Sequence, residues 1–305
     1  MIRSLISSLF EIAEIFKCAR LAMVKVRITR YHLDFRRENK VIRISRKHLI
    51  YSYDIIGDFD YYFDSVEPVL LDGLLICDFS RPSFHEVKGF GLFPLHFPSL
   101  AEPLSTTNQY LEFAGLKQGE QVLDLGAYSG LTSIIFKEIV GNSGRVVAVE
   151  VDPENLKSLK KNFLIYKKVT GRNLDVVEEA VWNHSNGVNF SSEGNMGSSA
   201  VSIVGENRGR VKLVKSSTLG EIAKTLGLEK IAFIKCDVEG AESVIFEDYN
   251  FFREHRPRII VEIHNVSGQS TSAKVQGDLA KFGYTFQLVD QPGTPFPLLQ
   301  CLPST

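Results

Sequence analysis

Ten consecutive residues constrain this chain more than any others: Gln121-Val122-Leu123-Asp124-Leu125-Gly126-Ala127-Tyr128-Ser129-Gly130. The first five read as a buried strand, and Leu131 to Ile139 has helical periodicity. The stretch is therefore strand, tight turn, helix. Gly126 lets the chain turn sharply and lets a ligand approach the backbone, while Gly130 lets the following helix pack closely on the strand. A domain built outward from such a unit is an α/β domain with a parallel sheet.

The chain beyond it follows that plan. Arg145 to Val151 is a second apolar strand, and Asp152-Pro153 is a suitable helix entry, because proline fits the first turn, where its missing N–H is not needed. Asp175-Val176-Val177 begins a third strand. Ile231 to Cys236 and Arg258 to Ile263 supply a fourth and fifth, with a helix from about Gly240 to Tyr249 between them. Tyr284 to Val289 and Pro297 to Leu302 form a closing pair. The expected fold is a doubly wound, mostly parallel seven-stranded sheet over residues 103–305. An insertion from Gly187 to Val214, with hairpin-like pieces around Ser191 to Ser199, separates the third and fourth strands.

Residues 1–102 read differently. Residues 1–25 form an amphipathic helix, with Ile2, Leu5, Ile6, Leu9, Phe10, Ile12, Ile15 and Phe16 at helical spacing. Glu11, Glu14, Lys17 and Arg20 interrupt the apolar run, which is too short and too charged to span a bilayer. The helix either packs on the body of the protein or on a second subunit, or lies in a membrane interface. Residues 26–102 form a small β-rich lobe with an aromatic stretch, Tyr51 to Phe63, that reads first as the lobe's core. Pro94, Pro98 and Pro103 mark a linker.

Composition excludes some classes of function. The 35 basic and 36 acidic side chains nearly cancel, so a nucleic-acid partner held by a broad basic field is not expected. Cys18, Cys77, Cys236 and Cys301 are too widely spaced for a zinc site and read as free thiols, with the cytoplasm as the expected compartment.

In a doubly wound sheet ligands bind beyond the carboxyl ends of the strands near the switch point. Asp124, Gly126, Ala127, Tyr128 and Gly130 lie there. The Asp124 carboxylate suits an ammonium-bearing cofactor and would repel a pyrophosphate, and the loop lacks the G-x-G-x-x-G of dinucleotide folds. Glu150, ending the second strand, is suited to both hydroxyls of a ribose. Asp152 either reaches the ribose or caps the helix, and Glu179-Ala180 is placed for an adenine. Ammonium, ribose and adenine together describe S-adenosylmethionine better than NAD.

The stretch Phe233-Ile234-Lys235-Cys236-Asp237-Val238-Glu239-Gly240-Ala241-Glu242 closely resembles the signature of the FkbM-type methyltransferases, as does Val261-Glu262-Ile263-His264-Asn265. The likeness runs from about Pro103 to His264, roughly half the chain, with Ser216-Ser217-Thr218-Leu219 in the expected order. It implies a class I, Rossmann-like methyltransferase that uses S-adenosylmethionine on hydroxyls of sugars, glycans or small metabolites.

Asp237 is expected at both the cofactor and the acceptor, with Glu239 and His264 as further catalytic candidates. His264 is the best general base by intrinsic pKa. Glu242 has an alternative as a helix first-turn residue and His264 as a satisfied strand-end histidine, and Lys235 reads as a partner for a neighbouring carboxylate. A divalent metal on Asp237, Glu239 and His264 would suit an oxygen acceptor, but no metal is assigned. A non-catalytic cofactor-binding scaffold, an NAD-dependent oxidoreductase and a nucleic-acid ribose methyltransferase are the competing functions. A homodimer and peripheral membrane contact stay open, and acceptor choice is expected to lie in the aromatic lobe and the insertion.

Overall fold

The computed structural model describes residues 2–192, 199–200 and 210–304. Much of the insertion expected between Gly187 and Val214, residues 193–198 and 201–209, lies outside the described residues, as do the side chains of Ile2 to Glu11. The chain divides into two compact units, one reaching Leu104 and including Pro292–Pro295, the other running from Ser105.

The first unit opens with α1 (Ile2–Leu21), which buries Ile15 and Ala19, one helical turn apart on one face. No described helix is long and apolar enough to cross a membrane. The strands β1 (Lys25–Ile28), β2 (His32–Arg37) and β3 (Lys40–Ser45) form a meander. After α2 (Ser52–Gly57) and α3 (Phe59–Phe63) come β4 (Val69–Leu71) and β5 (Leu74–Phe79). The sheet order is β1-β2-β3-β5-β4, with β3 and β5 parallel. Tyr51, Phe59, Tyr62 and Phe63 are buried, so the aromatic stretch is mainly lobe core. A small antiparallel pair, β6 (Ser83–His85) and β7 (Leu95–Phe97), completes the strands of this unit.

The second unit is built on a seven-stranded sheet. Helix α4 (Leu104–Ala114) leads into β8 (Gln121–Leu125), α5 (Leu131–Val140), β9 (Arg145–Val149), α6 (Pro153–Thr170) and β10 (Asp175–Val177). Short β11 (Ala180–Val181) follows, then the antiparallel β12 (Val188–Ser192), β13 (Ser199–Ala200) and β14 (Arg210–Val214), and β15 (Ser216–Ser217). Next come α7 (Leu219–Leu226), β16 (Ile231–Cys236), α8 (Glu242–Ile245), α9 (Tyr249–His255) and β17 (Arg258–Glu262). The chain ends with a short hairpin, β18 (Asn265–Val266) and β19 (Gln269–Ser270), then α10 (Ser272–Ala280), β20 (Tyr284–Val289) and β21 (Leu298–Pro303). The single helix expected over about Gly240 to Tyr249 is two, because Asp248 caps a new start by accepting from the Phe251 N–H at 3.2 Å.

The sheet order is β10-β9-β8-β16-β17-β21-β20. All strands from β10 to β17 pair in parallel, and β21 is antiparallel to both its neighbours. Strand alternation sends Leu123, Leu125, Val147, Val149, Ile234 and Val261 to one face, where α7, α9 and α10 cover them. Val122, Val146, Phe233 and Ile260 go to the other, against Tyr110 of α4 and Phe136 of α5. Both faces are thus dry, as near-continuous apolar strands require. The chain winds outward from β8 in one direction and from β16 in the other, so the topological switch falls between these two strands.

Candidate active site

The loops after β8 and β16 meet at that switch. Gly126 has φ +75, and a Cβ there would lie 1.7 Å from the Asp237 carbonyl oxygen. Only glycine allows the two loops to close to this distance. Tyr128 also takes a left-handed φ, +48. Gly130 packs against α6, where a Cβ would stand 2.5 Å from the Phe163 ring, and the Asn162 side-chain amide donates to the Ser129 carbonyl at 2.9 Å.

Asp124 and Lys235 are register partners on β8 and β16. Asp124 is fully buried; Ser133 Oγ donates to it at 2.5 Å, and Lys235 Nζ stands 3.6 Å away. Burial pushes its carboxyl up from the usual range, against the opposing pull of the Lys235 charge. It offers no surface to a ligand, which corrects the expectation that it meets the cofactor. Strand alternation turns it towards α5 instead. Lys235 does what was expected and more: its ammonium donates to the Gly126 carbonyl at 2.8 Å and lies 3.4 Å from Asp237 Oδ2.

Glu150, in the loop directly after β9, is also well buried. It accepts from the backbone N–H groups of Tyr128, Val151 and Asp152 at 2.9, 2.7 and 2.8 Å, and from the Asn155 amide at 3.4 Å. Burial pushes its carboxyl up to about 7, the backbone donors opposing. Asp152 is the helix cap. It accepts from Glu154 N at 2.7 Å, from Asn155 N at 3.2 Å and from Ser192 Oγ at 2.8 Å. Having no exposed surface, it does not reach for a ribose. Glu179 is half-buried and accepts from the Ser217 hydroxyl, and Ala180 opens β11.

The acidic cluster lies beyond the carboxyl ends of β16 and β17. His264 is its centre. Its Nε2 stands 3.5 Å from Glu262 Oε1, 3.7 Å from Glu239 Oε2 and 3.8 Å from Asp237 Oδ1. On the other side, Glu242 Oε1 accepts from the His264 backbone N–H at 3.0 Å and lies 3.2 Å from Nδ1. The Thr271 hydroxyl donates to the same oxygen at 2.9 Å, and the Gly240 N–H donates to Oε2 at 2.8 Å.

Burial alone would lower the His264 pKa, but the charges of Glu239, Glu242 and Glu262 outweigh it and hold it well above its ordinary value. Carboxylates face both of its ring nitrogens, so His264 is the centre of a cluster and not an isolated general base. Burial, together with neighbouring carboxylate charge, pushes Asp237 and Glu239 up instead. Glu242 ends below its ordinary value, because its bonds and charge pairing with His264 overcome burial. It is more than a helix first-turn residue.

Glu262 appeared in the sequence only as part of a motif, with no role assigned to it, and Gln291 was not named. Gln291 Nε2 donates to Glu262 Oε2 at 2.9 Å. A signal for Glu262 existed: residues 262 and 264 are two apart at a strand end, and a period of two places both side chains on one side. Gln291 is remote in sequence and carries no such signal. Glu239 has φ +52, a strained value for a non-glycine residue of the kind that collects at functional sites. Its side chain keeps 28% of its surface exposed, the most of the four carboxylates.

A doubly wound sheet of this order, with a glycine-turned loop after its first strand and an acidic residue closing the second, defines a class I methyltransferase domain. Residues 124–286, just over half of the chain, match the Methyltransferase FkbM domain. The chain belongs to the FkbM methyltransferase family. Among solved structures, a methyltransferase FkbM from Methylobacillus flagellatus KT is similar, with 16% identity and a TM-score of 0.46 over 84% of this chain and 55% of that one. This chain thus spans about half the length of that relative. TomG, an O-methyltransferase from Streptomyces achromogenes, is 14% identical with a TM-score of 0.43, over 68% and 83% of the two chains. Fibrillarin from Aeropyrum pernix is 13% identical with a TM-score of 0.42, over 91% and 98%. No curated protein matches the chain in sequence.

Proposed function

We propose that this chain transfers a methyl group from S-adenosylmethionine to a hydroxyl of a sugar, glycan or small metabolite. The observation that carries the reading is the set of carboxylates Asp237, Glu239 and Glu262 beside the Gly126 loop at the switch point. The donor chemistry of the loop suits the cofactor. The left-handed turns at Gly126, Tyr128 and Gly130 suit the close approach of an aminoacyl group to the loop backbone, and the Glu150 carboxylate, just after the second strand, suits ribose hydroxyls. Glu179 and Ala180 follow β10, on the side where an adenine would lie.

The bound cofactor supplies a methyl group on a sulfonium. The chain's own part is to place an acceptor oxygen in line with it and to take its proton. Positioning supplies much of the rate, and a base adds about 10²–10⁴-fold. Glu239 is that base: it is the most exposed carboxylate of the cluster and so the one an acceptor meets first. With the methyl leaving the sulfonium for the acceptor oxygen, Glu239 would hold the hydroxyl proton that the oxygen gives up. A hydroxyl needs such a base because it remains protonated at neutral pH.

The test is calorimetry with S-adenosylmethionine, S-adenosylhomocysteine and NAD, followed by labelled-methyl transfer to a panel of sugars, glycolipids and hydroxylated metabolites. Binding of the first two and alkali-stable label on an oxygen is expected. NAD binding in their place, or label only on nitrogen or carbon, sinks the proposal.

A further inference from the structure

We propose that Asp237, Glu262 and His264 form a binding site for one divalent cation. One ligand atom from each lies within 4.8 Å of the others. Cis ligands of an octahedral cation stand about 3 Å apart, from bond lengths of about 2.1 Å. The separations of 3.5 and 3.8 Å from His264 Nε2 to Glu262 and Asp237 therefore close around an ion by small side-chain rotations.

The imidazole makes the case. His264 is 4% exposed, and its Nε2 is buried with no hydrogen-bond partner among the described residues. An imidazolium N–H facing three carboxylates would settle on one at about 2.7–2.9 Å, yet all three stand at 3.5 Å or more. The opposite nitrogen is held. Nδ1 faces Glu242 Oε1 at 3.2 Å, and Glu242 is itself fixed by the Gly240 N–H, the His264 N–H and the Thr271 hydroxyl. A carboxylate behind a histidine fixes the Nδ1–H tautomer and presents the Nε2 lone pair forward, the arrangement that metal-binding histidines use. Gln291 does the same for Glu262, donating to its second oxygen and leaving Oε1 to the pocket.

Charge agrees. Asp237, Glu239, Glu242 and Glu262 crowd one imidazole and one ammonium, Lys235. A divalent cation balances this excess of negative groups. Two carboxylate oxygens and one imidazole suit a first-row ion such as Mn²⁺ better than a thiolate-seeking one. The sequence alone had grouped Asp237, Glu239 and His264; the structure replaces Glu239 with Glu262. Glu239 is thereby left outside the ligand set.

The site does not depend on methyl transfer, but its use does rest on that reading: an acceptor hydroxyl on the cation loses its proton more readily, and Glu239 receives it.

The test uses the full chain, stripped with EDTA and without cofactor, titrated with Mn²⁺ by calorimetry and electron paramagnetic resonance. Saturable binding of one Mn²⁺ per chain is expected, with nitrogen coupling from one imidazole in the pulsed spectrum. Glu262→Gln and Glu242→Gln should each weaken it by about tenfold or more, whereas Glu154→Gln on the exposed start of α6 should not. Absence of saturable binding, bound Mn²⁺ without nitrogen coupling, or equal affinity in Glu262→Gln each overturns the site. The nitrogen coupling is read on the unaltered chain, so it decides the matter even if a variant fails to fold. Failure here leaves the methyl-transfer assay untouched, and failure there leaves Mn²⁺ binding untouched.

Discussion

Glu242 and His264 meet twice: one carboxylate oxygen accepts from the His264 backbone N–H at 3.0 Å and faces its Nδ1 at 3.2 Å. Glu242 comes from the start of α8 and His264 from just beyond β17, so this pair ties the helix to the sheet's carboxyl edge. Both are buried. Replacing Glu242 by glutamine keeps the shape but turns an amide NH2 towards groups that all donate. A buried charge pair broken on one side costs about 3–5 kcal/mol. Glu242→Gln should lose stability of about that order in a urea titration, with the slope of the transition unchanged; a loss within error of zero would mean that the pair does not hold the edge together.

Lys235 gives a second measurable case. Its ammonium reaches the Gly126 carbonyl, Asp124 and Asp237, so a methionine there leaves the buried Asp124 and the half-buried Asp237 without their cation. Lys235→Met should cost about 3–5 kcal/mol and also weaken cofactor binding, because the Gly126 turn loses its anchor. Calorimetry with S-adenosylhomocysteine on the folded variant checks the second part. Unchanged affinity would show that the turn holds itself.

The sheet was legible because its signal is local. Apolar runs such as Leu123 to Leu125 and Ile231 to Ile234, set between helical stretches, leave few alternatives to a parallel sheet. The glycines were legible because their turns need them. What the sequence could not show was the direction of each acidic side chain. Asp124 and Asp152 look like ligand-facing carboxylates in one dimension. In the fold one is turned into the α5 packing and the other into a helix cap. His264 was visible as a titratable group, but its pKa is set by Glu239, Glu242 and Glu262 from three separate backbone positions. Only the crossing of those loops reveals that environment.

Glu150 predicts a pH dependence. Burial raises its carboxyl from 4.5 to about 7, so between these values the folded chain holds a proton that the unfolded chain has lost. Its contribution to stability is therefore fully present below pH 4.5 and falls as pH rises to about 7, by about 3 kcal/mol at 1.36 kcal/mol per pKa unit. Glu150→Gln should remove that slope, measured as urea midpoints from pH 5 to pH 8. The same ionisation affects binding in the opposite sense, since ribose hydroxyls donate best to the anion. S-adenosylhomocysteine should bind about tenfold more weakly at pH 6 than at pH 8, and the dependence should vanish in Glu150→Gln. A flat profile in the unaltered chain would remove Glu150 from the ribose site.

Glu239 separates stability from function. Its φ of +52 is a conformation glycine adopts without the steric penalty that other residues carry, and its carboxyl is crowded by Asp237, Glu242 and Glu262, which push it up. Glu239→Gly relieves both and should raise stability by about 1 kcal/mol, although it removes a side chain. If Glu239 takes the acceptor proton, the same variant loses turnover. Glu239→Gln, which keeps size and backbone, should lower kcat by about 10²-fold with little change in S-adenosylmethionine affinity. A purely structural residue would show the reverse, with glycine destabilising and glutamine leaving turnover intact. Urea midpoints and single-turnover methyl transfer on the two variants distinguish these outcomes, because only a residue held in strain for its chemistry gives a more stable and less active protein from one substitution.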